Sequence, residues 1–174
     1  MDFKEVLEQR RSIRKFKPIE ISDDIIKEIL EIAQLAPSAG NLQAYKVKVI
    51  KSEDKKIKLK DATFTRALTK QESIVSAPVL FFICADKEES GKVFKERGEN
   101  LYAIQDATIF ATYLQLAIVS KGLASVWVGS FNEEEAKSAL SLPVNLRPLI
   151  IIPFGYPDSE PKPRERKNLN DLII

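Results

Sequence analysis

No histidine occurs in the 174 residues, and cysteine occurs once, as Cys84. The first absence removes the commonest general base, the hydrolase triads built on it and most zinc chemistry. The second removes a disulfide framework, an iron–sulfur cluster and a structural zinc site, so no metal ligands are expected. Cys84 lies in the apolar run Val79-Leu80-Phe81-Phe82-Ile83-Cys84 and reads as a small core residue. The six glycines form neither G-x-G-x-x-G nor G-x-x-x-x-G-K-[ST], which excludes a Rossmann or Walker nucleotide site. A phosphate here would have to be held by side chains. Charge of one sign is missing too: 27 basic against 25 acidic residues leave a net charge of +2, so no global field recruits nucleic acid or a membrane. The uncharged stretch from Ala107 to Ser120 is shorter than the ~20 residues a bilayer needs. The amino terminus is charged within its first five residues, which is no signal-peptide pattern. These absences predict a cytoplasmic protein with one domain spanning residues 1–174. Any redox or transfer chemistry would belong to a cofactor.

Basic residues gather at the two ends of the chain, as Arg10, Arg11, Arg14, Lys15 and Lys17, and as Lys162, Arg164, Arg166 and Lys167. Asp2 caps a predicted first helix with Phe3, Val6 and Leu7 on one face, and the arginines lie at or just past its end. Ser22, Asp23 and Asp24 open a second helix whose inward positions are Ile25, Ile29, Ile32 and Ala33, with Pro37 as the stop. Val47 and Val49 among alternating lysines predict a strand with one wet face. Val79 to Ala85 and Leu149 to Pro153 predict strands buried on both faces, at the sheet centre. Residues 53–76 are charged and helical in tendency, with a break near Thr63-Phe64-Thr65. Asn100 to Ser120 predicts a long helix, apolar on most sides and interrupted by Gln105, Asp106 and Gln115, that Gly122 ends. A short strand Val126-Trp127-Val128-Gly129 and a capped surface helix Asn132 to Ala139 follow. The basic tail from Pro157 ends in Leu169, Leu172, Ile173 and Ile174, which favours docking, here assigned to a second subunit over residues 157–174.

Three segments carry candidate chemistry. Guanidinium groups present paired N–H donors to two oxygens at once, so Arg10, Arg11, Ser12 and Arg14 suit a phosphate. By themselves they equally suit a solvated helix end. Pro37, Ser38, Asn41 and Gln43 offer neutral donors and acceptors that suit a heteroaromatic ring, or form only a helix stop with an Asx-type turn. The turn Trp127-Val128-Gly129-Ser130-Phe131 exposes backbone N–H groups beside a glycine, or is a plain strand-end bend. A nucleic-acid role for the basic clusters is opposed by the near-neutral charge and the sparse aromatics between the basic residues.

Taken in order, these segments resemble the nitroreductase family across almost the whole chain. Arg10-Arg11-Ser12-Ile13-Arg14-Lys15-Phe16 is similar to its Arg-x-Ser-x-Arg block, which grips FMN phosphate. Ala36-Pro37-Ser38-Ala39-Gly40-Asn41-Leu42-Gln43 resembles its A-P-S-x-x-N-x-Q segment, which lies beside FMN, usually from the partner subunit. Leu101-Tyr102-Ala103-Ile104-Gln105-Asp106-Ala107 resembles the start of its dimer-building helix. Gly122-Leu123 through Phe131 resembles a stretch whose backbone, here Val128, Gly129 and Ser130, faces the flavin's reactive edge. The tail resembles a phosphate-contacting one, through Arg164 or Arg166, and Gln71 falls where relatives often place a polar residue near the flavin. Departures are Ala44-Tyr45 after Gln43, Ala124 and Val126. The resemblance implies an α+β fold with a central, mostly antiparallel sheet flanked by helices, and an intertwined homodimer with FMN at its interface. It also implies a ping-pong reaction from NADH or NADPH to a small-molecule acceptor such as a nitroaromatic, quinone or flavin. No residue is then catalytic, since the flavin carries the chemistry. Dehalogenation, flavin breakdown, or flavin binding with little turnover are the alternatives on the same fold.

Overall fold

The structure, a computed structural model, describes residues 2–64 and 68–174, without the side chains of 68–71. Four strands, β1 (Tyr45–Ile50), β2 (Val79–Asp86), β3 (Ala124–Ser125) and β4 (Leu146–Gly155), form one antiparallel sheet in the order β1-β2-β4-β3. The helices are α1 (Phe3–Gln9), α2 (Asp23–Ala33), α3 (Glu53–Asp61), α4 (Leu68–Ser76), α5 (Lys87–Arg97), α6 (Ala103–Ser120) and α7 (Glu133–Leu140).

The two predicted double-faced strands lie side by side at the centre, and every residue of β2 is buried. Because side chains alternate along a strand, β2 divides the interior in two. Val79, Phe81, Ile83 and Ala85 join Ile150, Ile152 and Phe154 under α2 and α6. Leu80, Phe82 and Cys84 join Ile151 on the other face, with residues of α3, α4 and α7. The Phe81 and Phe154 rings stack across the strand pair at 4.5 Å. The result is three layers, helix, sheet and helix, with helices segregated around an antiparallel sheet as the α+β class requires.

Several details differ from the expectations. In α2, capped by Ser22 as predicted, the buried residues are Ile26, Ile29 and Ala33, whereas Ile32 is 37% exposed. Spacings of three and four from Ile29 select Ile26 and Ala33, so the buried stripe is rotated away from Ile32. In α1 only Val6 is buried, while Phe3 and Leu7 face outward. The strand expected at Val126 to Gly129 is instead the two-residue β3, after which Val126 and Val128 donate individually to Pro153 and Ile151 of β4. On the edge strand β1, Val49 is exposed and Lys48 reaches over to the Leu140 carbonyl, so its faces do not separate cleanly into dry and wet. The sequence assigned nothing to α5, whose heavily charged residues carry no apolar periodicity. Among the described residues no helix is long and apolar enough to cross a membrane, and no three or more Asp, Glu or Cys side chains are grouped as metal ligands.

Burial pushes the Cys84 thiol up to about 12, against a smaller opposing effect of Lys137 and Lys48. Native Cys84 will therefore resist iodoacetamide at pH 8 and react fully once urea unfolds the chain, as intact mass will show. The unfolded thiol ionises first, so this group's contribution to stability is present below its ordinary value of 9.0 and lost as pH rises toward about 12.

Candidate functional site

The arginine block is built by backbone pairing. An Asp2–Glu5 capping box starts α1, and Arg10 leaves the helix with φ −58° and ψ 113° while its N–H still donates to Val6. The chain then runs extended: Ile13 N–H donates to Ser125 O at 3.0 Å, Lys17 N–H to Tyr156 O at 2.9 Å, and Asp158 N–H back to Lys15 O at 3.0 Å. Ile13 and Phe16 point into the core, and the polar residues between them point away from it. Ser125 is itself fixed from below, its hydroxyl accepting from the buried Gln115 amide of α6 at 3.3 Å. The same pairing carries the first residues of the basic tail alongside the block.

Both ends of the chain thereby line one cleft of about 620 Å³, with Arg10, Arg11, Ser12, Arg14, Lys162, Arg164 and Arg166 on its walls. The one acid lining it, Glu8, lies 3.7 Å from Lys4. Among the described residues the one arginine paired with a carboxylate is Arg147, far from here in sequence. Arg10 is half-buried, and its guanidinium value is lowered by burial and then by Arg166 and Arg11. It remains a cation at neutral pH. Arg11 and Arg14 each spend one Nη1–H on a nearby carbonyl, of Arg10 at 3.0 Å and Ser12 at 3.4 Å, and the remaining N–H groups, with the Ser12 hydroxyl, suit a multivalent oxyanion.

The second candidate segment is a strained turn after α2. Gly40, Asn41 and Gln43 all have left-handed backbones, with φ of 57°, 56° and 51°. Glycine accepts this freely and asparagine tolerates it, but glutamine does so rarely. A Cβ on Gly40 would also meet the Phe94 ring at 3.1 Å. The turn is held by Gln43 N–H to Ser38 Oγ at 2.9 Å and Gln43 Nε2 to Asn41 O at 3.0 Å. Ala39 N–H donates to Asp106 Oδ1 of α6 at 2.9 Å. Asn41 and Gln43 are exposed. Pro37 and Ser38 line a separate, largely apolar cleft of about 560 Å³ with Tyr102, Asp106 and Ile109.

In the third segment Val128 is buried and exchanges two hydrogen bonds with Ile151 at 2.9 Å, so its backbone is occupied. Gly129 is exposed, and among the described residues neither its N–H nor that of Ser130 donates a hydrogen bond. Gln71 lies in α4, but its side chain is outside the described residues.

The structure thus brings Arg10, Arg11, Ser12, Arg14, Arg164 and Arg166 together, and both tail arginines reach the cleft. It does not bring the Pro37–Gln43 turn to them within one chain, because the two clefts share no lining residue. Sequence reasoning placed Lys162 in the tail's basic cluster but not among the site residues, and gave Asp106 no role. The available signal was an acid on the inward stripe of α6, among Ala103, Ala107, Phe110 and Leu114.

The nitroreductase family model matches residues 7–156. An NADH dehydrogenase of Thermus thermophilus is 28% identical over 201 aligned residues, covering 100% of this chain and 96% of the relative. An iodotyrosine deiodinase of Thermotoga neapolitana is 26% identical over 188, covering 94% and 92%. Among solved structures, an FMN-dependent nitroreductase of Clostridium difficile R20291 is similar with a TM-score of 0.76 and 30% identity, covering 95% of this chain and 92% of that one.

If this cleft binds an oxyanion, the ligand should stabilise the fold. Inorganic phosphate at about ten times its Kd will add about 1.4 kcal/mol of stability, read as a raised Tm. Sodium chloride at equal ionic strength will not reproduce it, and the paired substitutions R10Q and R166Q will abolish most of it.

Proposed function

The chain belongs to the nitroreductase family, and on that premise we propose that it is an FMN-dependent oxidoreductase. In this reading it uses NADH or NADPH to reduce nitroaromatics, quinones or flavins by a ping-pong mechanism. The observation that carries the reading is the cleft of five arginines without a carboxylate partner. A flavin mononucleotide offers both things the residues call for: a phosphate dianion for the forks and a flat ring with hydrogen-bonding edges for neutral amides. The chemistry FMN supplies when bound is acceptance of a hydride from the nicotinamide and its delivery to a second substrate, which accounts for an enzyme without histidine.

The chain's own residues then bind and orient. Arg10, Arg11, Ser12 and Arg14, with Arg164 or Arg166 from the tail, hold phosphate, and their position at the chain surface leaves it reachable. Asn41 and Gln43, with Pro37 and Ser38, face the ring. Gln43 first gives up its present bond to Asn41 O. The N–H groups of Gly129 and Ser130, beside Val128 and without an acceptor among the described residues, are donors for negative charge developing on a ring edge, and their placement by a strand-end turn means they need not reorganise. Gln71 is assigned near the ring by family resemblance alone.

Because the arginine cleft and the amide turn stand apart in one chain, the complete site is proposed to form in a homodimer, with the turn supplied by the partner. Two surfaces support this. The outer side of α6 carries Gln105, Thr108, Ile109, Thr112, Tyr113 and Leu116 with no charge. Phe3, Leu7, Leu169, Leu172, Ile173 and Ile174 are all exposed apolar residues, and a buried helix face or a second subunit is their usual cover. Residues 157–174 dock there on the partner in this proposal, as part of the single domain of 1–174. The lone thiol without a disulfide fits a reducing compartment, and we place the protein in the cytoplasm. A second reading, dehalogenation on the same fold, is favoured by the likeness to the Thermotoga deiodinase; iodide release from an iodotyrosine under anaerobic reduction separates the two.

The test is an absorbance spectrum of the purified protein followed by anaerobic NADH or NADPH. Bands near ~450 nm that bleach on addition are the expected result, and a colourless protein that takes up no added FMN would sink the reading. Arg14→Ala should weaken FMN binding by ~1.5–3 kcal/mol, the worth of a charge-assisted hydrogen bond, while riboflavin, which lacks the phosphate, binds as before. Equal FMN affinity in that variant, by fluorescence titration, would remove Arg14 from the site.

A further inference from the structure

Three buried side-chain atoms among the described residues have no hydrogen-bond partner: Asp106 Oδ2, Tyr45 Oη and Ser90 Oγ. Two of them are coupled, since burial and then Asp106 raise the Tyr45 hydroxyl value. Tyr45 also stacks at 4.3 Å on Phe110, one turn along α6 from Asp106. A carboxyl group with only 2% exposure and one unmet oxygen is a large burden for a fold to carry. Nothing in the helix demands it. Ala103 N–H already donates to Gly98 O, because a π-turned segment from Gly98 to Tyr102 leads straight into α6, so no open helix end is there for an acid to cap. The neighbouring inward positions Ala103, Ala107, Phe110, Ala111 and Leu114 are apolar.

What the carboxylate does have is the Ala39 N–H at 2.9 Å. The turn's other bonds are internal to it, with Asn41 N–H to Ser38 O at 3.0 Å, Leu42 N–H to Ala39 O at 3.1 Å and Tyr45 N–H to Gln43 O at 2.7 Å. Those bonds fix the turn's shape, and the buried Ala36 and Ala44 hold its two ends in the core. Two non-glycine residues in left-handed conformations persist only where the surroundings over-determine them. The Asp106 bond is the polar tie between residues 38–43 and the helical layer.

We propose that Asp106 is the positioning residue of the ring-facing turn: its buried carboxyl, bonded to Ala39 N–H, locks residues 38–43 in the strained form that presents Asn41 and Gln43 to the flavin. The inference rests on the FMN reading for its ligand and on the geometry above for the lock. Burial raises the Asp106 value, partly offset by the Ala39 bond, in keeping with a group retained against its solvation. Asp106 touches no reacting atom, so its effect passes through the turn.

The test compares wild type, D106A and D106N. Asparagine keeps an oxygen acceptor for Ala39 and removes the charge. Amide hydrogen exchange at Ala39, measured without flavin, should rise about tenfold or more in D106A and return to within about threefold of wild type in D106N, as expected for one charge-assisted bond. Riboflavin and FMN affinities, from fluorescence titration, should fall by the same factor of about ten in D106A and recover in D106N. The phosphate-induced Tm shift should stay unchanged. A lock acting through the turn must move both flavins equally, whereas a phosphate-site defect moves FMN alone. Unchanged flavin affinity despite faster exchange would make the lock purely structural and overturn the proposal. So would an unprotected Ala39 amide in wild type, a readout that holds even if D106A does not fold. A wild-type protein that binds neither flavin would instead overturn the FMN reading and the ring-facing half of this one, while the exchange data still judge the lock.

Discussion

The antiparallel pairing of residues 15–17 with 156–158 is the contact on which the candidate site depends. It joins segments from opposite ends of the chain, and it does so against electrostatics, since each brings arginines that repel those of the other. Arg10 registers that repulsion directly, its guanidinium value lowered by Arg166 and Arg11 after burial. The opposing force comes from below the surface. Ile13 and Phe16 are buried, Ser125 is held by Gln115, and β4 is flanked by strands on both sides. A cluster of cations preassembled in this way would have its repulsion relieved by an anion.

That logic also explains what could be read from the chain beforehand. The double-faced strands were legible because eight consecutive buried residues leave no polar alternation to misread. The caps at Asp2, Ser22 and Asn132 were legible because capping is local chemistry. The arginine block was visible as residue types, and its meeting with the tail only through the family resemblance, because that pairing spans most of the sequence and leaves no local signal. Misreadings occurred where tertiary contacts choose among near-equivalent local options, as in α2, where Ile26 rather than Ile32 turns inward. The strand expected at 126–129 shrank because beyond β3 the pairing with β4 continues only as one bond from Val126 and an isolated bridge at Val128, not as a regular ladder. Asp106 was in plain view, yet a lone acid in an apolar helix means little until the N–H it bonds is known.

The turn at 38–43 and the cleft at the chain ends are held by opposite means. In the cleft, backbone geometry is ordinary and the side chains are electrostatically stressed. In the turn, the side chains are neutral and the backbone is stressed, with Asn41 and Gln43 in conformations that L-residues seldom take. Charge repulsion is screened by salt within about 8–10 Å at physiological ionic strength, while backbone strain is indifferent to salt. The two halves of a flavin site assembled from them would therefore answer differently to ionic strength, one weakening and the other unmoved.

This division has a consequence for assembly. A single chain holds its two proposed halves apart, the arginine cleft and the cleft at Pro37 and Ser38 sharing no lining residue. If the partner supplies the turn, the bound ligand belongs to the interface, and any binding that requires both copies stabilises the dimer by mass action. The uncharged outer face of α6 and the exposed apolar ends of the chain would then be covered by the same event that completes the site. In that arrangement the turn would reach across to another subunit, and a rigid turn would enter it with less ordering left to do when the ligand arrives. Its geometry has to be set from its own side, and the buried carboxyl on α6 is placed to set it.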